Sequence, residues 1–260
     1  MQTGEYISNR ATVAIIRDIC NKKNISFNSL SDEWLLELSK DGKLRRILGY
    51  KFTLNDSVSS SIAGDKVATY ILLDRAGLPS VPHTLLRPKV TDEQKKPLME
   101  WKKIVVKPLD GSGGHGVRLF ANKNEAIRWI ESTSHPAWAA APFIDIKREV
   151  RIVLLDAEPL IVYEKQPVTI DGLKMFNLGL GATPIDLLPD PSLITLAAQA
   201  QLALGLRLCA VDVVETATGE RMVLELNSGF MMEHYIQFSD KNKQRAVDAY
   251  NKIIKAVMEG

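Results

Sequence analysis

The sequence has few of the features that mark secreted, membrane-spanning or zinc-binding proteins. It contains two cysteines, Cys20 and Cys209, far apart in apolar periodic segments, which predicts buried free thiols in a reducing cytosol. No apolar run approaches the roughly 20 residues of a transmembrane helix, and the first residues lack the basic and then apolar plan of a signal peptide. The four histidines lack the spacing of zinc ligands. We therefore expect a cytoplasmic protein that does not associate with a membrane.

A strong charge of either sign is also missing. Lys and Arg number 33 and Asp and Glu number 31, so the formal net charge is +2. No basic cluster exceeds a short run, which argues against nucleic-acid binding. The 260 residues are 45% hydrophobic and 25% charged. This composition is ordinary for a globular protein with a sizeable core, built as one large domain or two small ones.

The most informative stretch lies at residues 104–120 and reads IVVKPLDGSGGHGVRLF. An apolar strand ends at Lys107, and a second strand with period-two alternation follows the turn. The small residues of the turn are Gly111, Ser112, Gly113, Gly114 and Gly116. Glycines allow positive φ, and consecutive exposed N–H groups form an anion-binding nest. With Lys107 beside it, the turn is predicted to hold a phosphate chain.

Other interpretations of this turn compete with that one. Gly111, Gly113 and Gly116 fit the G-x-G-x-x-G spacing of dinucleotide-binding proteins, but that fingerprint needs a helix after the turn, and here a strand is predicted. No Gly-Lys-Ser/Thr closes the turn as it does in a P-loop. A glycine-rich hairpin over phosphates, with a lysine on a strand, is the arrangement of kinases and related nucleotide enzymes. A flexible surface hairpin without function is the remaining alternative.

A second hairpin, at residues 211–227, carries side chains with oxygen atoms. Asp212 lies on its first strand, whereas Glu225 and Asn227 alternate on its second strand and so share one face. Magnesium prefers a few such hard ligands and fills its other positions with water and phosphate oxygens. Taken alone, polar residues at period two are more typical of a solvated sheet face.

Six segments in a fixed order give the chain its resemblance to a known family. They are Ala-Gly-Asp-Lys66, Val-Val-Lys107-Pro-Leu-Asp-Gly-Ser-Gly-Gly-His-Gly-Val, Arg-Glu-Val-Arg151, Phe-Asn177-Leu-Gly-Leu-Gly181, Ala-Val-Asp212 and Leu-Glu225-Leu-Asn227-Ser. From about residue 55 onward the chain resembles the ATP-grasp superfamily of carboxylate–amine ligases. It is most similar to the branch with cyanophycin synthetases, glutathione-forming ligases and ribosomal-protein glutamate ligases.

The resemblance implies an α+β (α/β) ATP-grasp fold, in which two α+β subdomains grip ATP. Hairpin pairing of the strands, with helices between the groups, independently favours α+β layers. We expect residues 1–54 to form a short helix and hairpin, with the helix running from Ser8 to about Lys23. Residues 55–145 would carry the lid and the glycine-rich turn, and residues 146–260 the metal ligands. Residues 55–61 are expected to form a polar connector, and residues 169–181 a loop.

The resemblance also implies a reaction, in which ATP phosphorylates a carboxylate and an amine attacks the acyl phosphate. Lys66 and Lys107 would hold the inner phosphates, and the glycine-rich turn would cover the outer ones. Arg151 and Asn177 are the expected catalytic residues. Further contacts to the nucleotide are expected from Phe143, Ile144 and Glu149. Magnesium, or alternatively manganese, would be held by Asp212, Glu225 and Asn227.

The sequence departs from the family at two places. The adenine hinge, usually Gln-Glu or a close variant, is here Ala141-Pro142, and the residues after Ser228 are Gly229-Phe230-Met231-Met232 instead of Pro-Gly. The substrates are therefore expected only as a class, a carboxylate and an amine that are small molecules or peptides. A homodimer is common in the superfamily. A phosphotransferase on the same scaffold and a nucleotide-binding module without catalysis are the alternative functions.

Overall fold

The computed structural model describes residues 9–111, 113–170, 172–188 and 190–260. The chain begins with a helix and a small antiparallel sheet in the order β1-β2-β3. Its elements are α1 (Ala11–Lys22), β1 (Ser26–Leu30), β2 (Leu35–Lys40) and β3 (Lys43–Leu48). The predicted helix and the predicted hairpin are both present, although Ser8 lies outside the described residues. Strand β1 was not predicted, because SFNSL is polar and becomes a strand by pairing with β2 along its whole length.

The middle of the chain forms a four-stranded antiparallel sheet in the order β4-β7-β5-β6. Its elements are α2 (Ser57–Gly64), α3 (Lys66–Arg75), β4 (Thr84–Leu86), α4 (Asp92–Lys95), β5 (Ile104–Pro108), β6 (Arg118–Phe120), α5 (Lys123–Glu131) and β7 (Trp138–Pro142). The expected connector at residues 55–61 is wrong, because α2 begins there. The Asp56 side chain accepts hydrogen bonds from the N–H groups of Val58 and Ser59 and thereby caps this serine-rich helix.

The remaining residues form a five-stranded antiparallel sheet in the order β12-β9-β8-β13-β14. The elements of this part of the chain are β8 (Ile146–Leu155), β9 (Glu158–Gln166), β10 (Val168–Ile170), β11 (Leu173–Met175), β12 (Thr183–Asp186), α6 (Pro191–Ala203), β13 (Leu208–Thr216), β14 (Arg221–Asn227), α7 (Glu233–Phe238) and α8 (Asp240–Glu259). Strands β10 and β11 form a separate two-stranded sheet. The loop expected at residues 169–181 is partly wrong, since β10 and β11 pair as a hairpin within it. Helix α7 was not predicted.

The two faces of the five-stranded sheet belong to different cores. On one face, Val153, Ile161 and Ala210 pack in a cluster with the buried side of α1, the N-terminal sheet and α8. On the other face, Ile152 and Val211 pack against α6 and α3. The N-terminal sheet therefore shares a core with the C-terminal helix. The mixed α+β architecture is as predicted, and no helix within the described ranges is long and apolar enough to cross a membrane.

Candidate active site

The two larger sheets line opposite walls of one cleft of about 390 Å³. Most of the residues predicted to bind nucleotide or metal face this cleft. Its lining includes Lys66, Lys107, Gly111, Gly113, Gly114, Phe143, Ile144, Glu149, Asn177 and Glu225. Four of the predicted residues that the structure describes are not part of this lining, namely Gly116, Arg151, Asp212 and Asn227. Ser112 lies outside the described residues.

Lys66 holds the glycine-rich turn from the start of α3. Its Nζ donates a hydrogen bond of 2.6 Å to the carbonyl oxygen of Gly111 and a longer one of 3.3 Å to that of Leu109. The lysine occupies the first helical position because Asp65 caps α3. Burial lowers the pKa of Lys66, and Glu225 partly restores it. Lys66 thus links the turn that was predicted to bind phosphate with the predicted metal ligand.

The turn itself has backbone geometry that requires glycine. Gly113, Gly114 and Gly116 have φ values of +69°, +77° and +73°, which L side chains rarely adopt. A β-carbon placed on Gly114 would lie only 2.7 Å from Asn177 Nδ2. The loop that carries Asn177 therefore closes directly onto the glycine-rich turn.

Lys107, at the end of β5, is the second lysine of the cleft. Burial lowers its pKa to about 8, with Glu225 acting to raise the pKa and Lys66 acting to lower it. Two lysines in one confined cleft repel each other, so the site is preorganised for a polyanion that neutralises both. A phosphate chain meets that requirement.

Arg151 and Asp212 form a buried ion pair across β8 and β13, where their Cα atoms are partners in the strand register. Arg151 Nε lies 2.7 Å from Asp212 Oδ1, and Nη2 lies 2.5 Å from Oδ2. Lys165 Nζ lies 2.9 Å from Asp212 Oδ2 and also contacts Glu149. Burial alone would raise the pKa of Asp212, but Arg151 and Lys165 hold it well below its usual range.

Lys165 is the residue of this network whose place in the site the sequence left undecided. It lines the cleft and is almost completely buried. A signal was available in the alternation along β9, which puts Lys165 on the same face as Tyr163. However, Lys165 gains its role only from Glu149 and Asp212 on β8 and β13, and the strand register that joins them cannot be read locally.

Glu225 and Asn227 lie together at the end of β14. Asn227 Nδ2 donates a hydrogen bond of 3.1 Å to Glu225 Oε1, as expected for side chains that share a strand face. The described residues contain no group of three His, Cys, Asp or Glu side chains arranged to hold a metal. A carboxylate and an amide are nevertheless hard oxygen donors of the kind that magnesium prefers. Glu225 and Asn227 therefore fit a divalent ion, whereas both oxygens of Asp212 accept hydrogen bonds from cations.

The opposite end of the cleft is mostly apolar. Val81, Val105 and Leu224 line it, together with Ala141, which pairs with Val105 in the strand register. At the hinge, Pro142 has no N–H group, and the N–H of Phe143 donates a hydrogen bond to the carbonyl oxygen of Lys103. This apolar slot suits a planar aromatic base, and Ala141 and Pro142 at its hinge offer that base no polar side chain.

Comparison of the sequence with known protein families gives a match that contains both walls of the cleft. A family described as the ATP-grasp domain matches residues 63–231. This chain belongs to the ATP-grasp domain family. The match spans all six of the segments on which the resemblance was based, and it leaves α1 and the N-terminal sheet outside.

The curated relatives of this ATP-grasp protein are ligases by name. A probable alpha-L-glutamate ligase from Legionella pneumophila is 26% identical over 68% of this chain and 59% of its own length. The chain thus spans about three-fifths of the length of that relative. A glutamate–LysW ligase from Sulfolobus acidocaldarius is 24% identical over 73% of this chain and 70% of its own length.

Solved structures support the ATP-grasp fold. D-alanine–D-alanine ligase from Bacillus anthracis, complexed with ATP, superimposes with a TM-score of 0.61 at 16% identity, over 79% of this chain and 69% of that one. D-cycloserine synthetase gives a TM-score of 0.58 at 23% identity, over 74% of this chain and 70% of that one. At these identities the likeness concerns the fold alone.

The N-terminal residues outside the family match abut the end of β14 in this ATP-grasp protein. A β-carbon placed on Gly229 would lie 2.9 Å from Lys51 Cγ. A few residues later, Glu233 accepts hydrogen bonds from the N–H groups of Ala11 and Thr12 at the start of α1. The segment after Asn227, where the sequence departs from the family, is therefore packed against the N-terminal unit.

Proposed function

We propose that the protein is an ATP-dependent ligase that joins a carboxylate to an amine and releases ADP and phosphate. One observation carries the proposal: Lys66, Lys107, the glycine-rich turn and Glu225 line a single cleft. Burial lowers the pKa of both lysines and Glu225 acts to raise it, so this carboxylate interacts electrostatically with both lysines. The ligase names of the relatives support this reaction class.

In the proposed reaction, a carboxylate oxygen of the substrate attacks the γ-phosphorus of ATP and ADP leaves. The amine then attacks the acyl carbon of the resulting acyl phosphate, loses a proton and displaces phosphate. Lys107 and Lys66 hold the inner phosphates, and the N–H groups of the glycine-rich turn cover the outer ones. Such transfers depend on positioning and on neutralising charge more than on covalent chemistry from the protein.

Arg151 is proposed to stabilise negative charge on the acyl phosphate and on the tetrahedral intermediate. Asp212 fixes the guanidinium through two hydrogen bonds, so little reorganisation is needed when charge develops. Asn177 is proposed to approach the outer phosphates, because its side chain lies against Gly114 of the turn. Glu149 is proposed to orient Lys165 at the nucleotide side of the cleft.

Magnesium, with manganese as an alternative, is proposed as the metal. Glu225 and Asn227 would hold it. Asp212 would become a third ligand by giving up one of its hydrogen bonds with Arg151 or Lys165. The ion would supply positive charge to the phosphate oxygens. Neutralisation of this kind is what magnesium ions contribute to phosphoryl transfer in general.

The substrates are proposed to be an amino acid and a small molecule or peptide. Glutamate is the first amino acid to test, because it appears in the names of the Legionella and Sulfolobus relatives. We further propose that the protein acts in the cytoplasm and forms a homodimer. Neither a nucleic acid nor a membrane has a part in the proposed reaction.

A screen of amino acids and short peptides for stimulated ADP release, with mass detection of products, tests the proposal. With hydroxylamine replacing the amine, the correct carboxylate should yield a hydroxamate together with ADP and phosphate. AMP and pyrophosphate would contradict the acyl phosphate. A stable phosphorylated alcohol would indicate a phosphotransferase. Tight ATP binding without turnover across the screen would favour a binding module.

A further inference from the structure

His83 is a polar side chain in the apolar part of the cleft that no role described so far uses. It immediately precedes β4, whose Thr84 pairs with Ala140 of β7. Extending this register places His83 beside Ala141, which in turn pairs with Val105. All three line the cleft. His83 therefore lies on the sheet face that forms the slot for a base, next to an alanine too small to fill the space.

The hydrogen bonding of His83 fixes which ring nitrogen carries a proton. Nδ1 lies 2.8 Å from the carbonyl oxygen of Val81. A carbonyl oxygen only accepts, so Nδ1 must be the donor and the neutral ring keeps its lone pair on Nε2. Burial lowers the pKa of His83 well below its usual value, and Lys107 lowers it further. The ring is therefore neutral at physiological pH.

Nε2 has no hydrogen-bond partner among the described residues, and the side chain is only 5% exposed. An unsatisfied buried acceptor is costly, so its persistence calls for a partner that arrives with a ligand. At the hinge, Ala141 and Pro142 have no polar side chain that could take this role. The base of ATP has one hydrogen-bond donor, its exocyclic amino group.

We propose that His83 determines base specificity by accepting a hydrogen bond from the exocyclic amino group of the nucleotide base through Nε2. This inference rests on the proposed ATP site. It predicts discrimination against purine nucleotides that lack the amino group or carry a carbonyl oxygen in its place. A carbonyl oxygen would face the lone pair of Nε2, and the Val81 carbonyl prevents the ring from exchanging tautomers.

The test compares two variants of equal length, His83→Gln and His83→Met. Both lose the hydrogen bond to Val81, but only the glutamine retains an acceptor near the position of Nε2. Calorimetry measures the binding of ATP, purine riboside triphosphate and inosine triphosphate in the presence of magnesium. Thermal unfolding of both variants gives the matched control for effects on the fold.

We expect the wild-type protein to bind ATP about 2- to 13-fold more tightly than purine riboside triphosphate, as one neutral hydrogen bond allows. His83→Gln should keep part of this preference, and His83→Met should bring the ratio close to one. If both variants bind all three nucleotides more weakly by the same factor, the proposal is overturned. His83 would then act by supporting Lys107. Equal affinities in the wild-type protein would also overturn it. If the wild-type protein binds none of the nucleotides, the proposed function itself fails.

Discussion

The affinity for ATP should depend measurably on pH because of Lys107. Its pKa is lowered to about 8 from an ordinary value of 10.5, with burial as the main cause. Bound phosphates favour the ammonium form and should raise the pKa again. Above pH 8 the protein must then take up a proton on Lys107 when it binds nucleotide. The affinity for ATP should therefore fall as the pH rises through the pKa of Lys107 in the free site.

The size of the effect follows from the depressed pKa. The free site is about half deprotonated at pH 8 and about nine-tenths deprotonated at pH 9. From pH 7 to pH 9 the affinity for ATP should therefore fall about tenfold, which corresponds to about 1.4 kcal/mol. Lys66 has a pKa lowered in the same direction and would add to the slope. Glu225 acts to raise the pKa of both lysines, and Glu225→Gln should therefore move the transition to lower pH.

Calorimetry in buffers of different ionisation enthalpy measures the number of protons taken up. We expect about half a proton at pH 8 and close to one at pH 9, with little uptake at pH 7. The Lys107→Met variant should bind ATP more weakly and lose most of this uptake. Uptake that is absent in the wild-type protein, or that persists unchanged in Lys107→Met, would refute the reasoning.

Three further predictions concern other parts of the cleft. Glu225→Ala should abolish ADP release and leave the circular dichroism spectrum unchanged, and a wild-type rate at saturating magnesium would contradict its role. Arg151→Met leaves Asp212 buried without its main partner and should lower the free energy of unfolding in urea by about 3–5 kcal/mol. A loss of stability no larger than that of Arg151→Lys would contradict this contribution of the ion pair. Gly114→Ala should weaken ATP binding, because its β-carbon would meet Asn177. Gly42→Ala, with a similar φ of +75° and open space around it, lies outside the cleft, is the matched control and should bind ATP normally.

Residues whose role depends on local spacing could be predicted from the sequence. The glycine-rich turn follows directly from its glycines and from the strands on either side. Glu225 and Asn227 contact each other because alternate residues of a strand share a face. Both patterns lie within about 20 residues of chain and need no knowledge of the partner strands.

Residues whose role depends on strand register could not be placed in this way. Lys165 reaches Asp212 across β8, which lies between β9 and β13 in the sheet. His83 reaches the cleft because β4 pairs with β7, which in turn pairs with β5. Strand β1 was missed for the same reason, since its polar sequence becomes a strand only beside β2. Pairing between strands, which spacing within one strand does not reveal, decides all three cases.

Transfer of oxygen from the substrate to phosphate is the most direct test of the proposed acyl phosphate. A carboxylate substrate labelled with ¹⁸O is incubated with ATP, magnesium and the amine, and the phosphate produced is analysed by mass spectrometry. Attack of the carboxylate on the γ-phosphorus predicts one ¹⁸O atom in each phosphate released with ADP. Unlabelled phosphate, or label found in AMP, would contradict the assignment of this cleft to an acyl phosphate ligase.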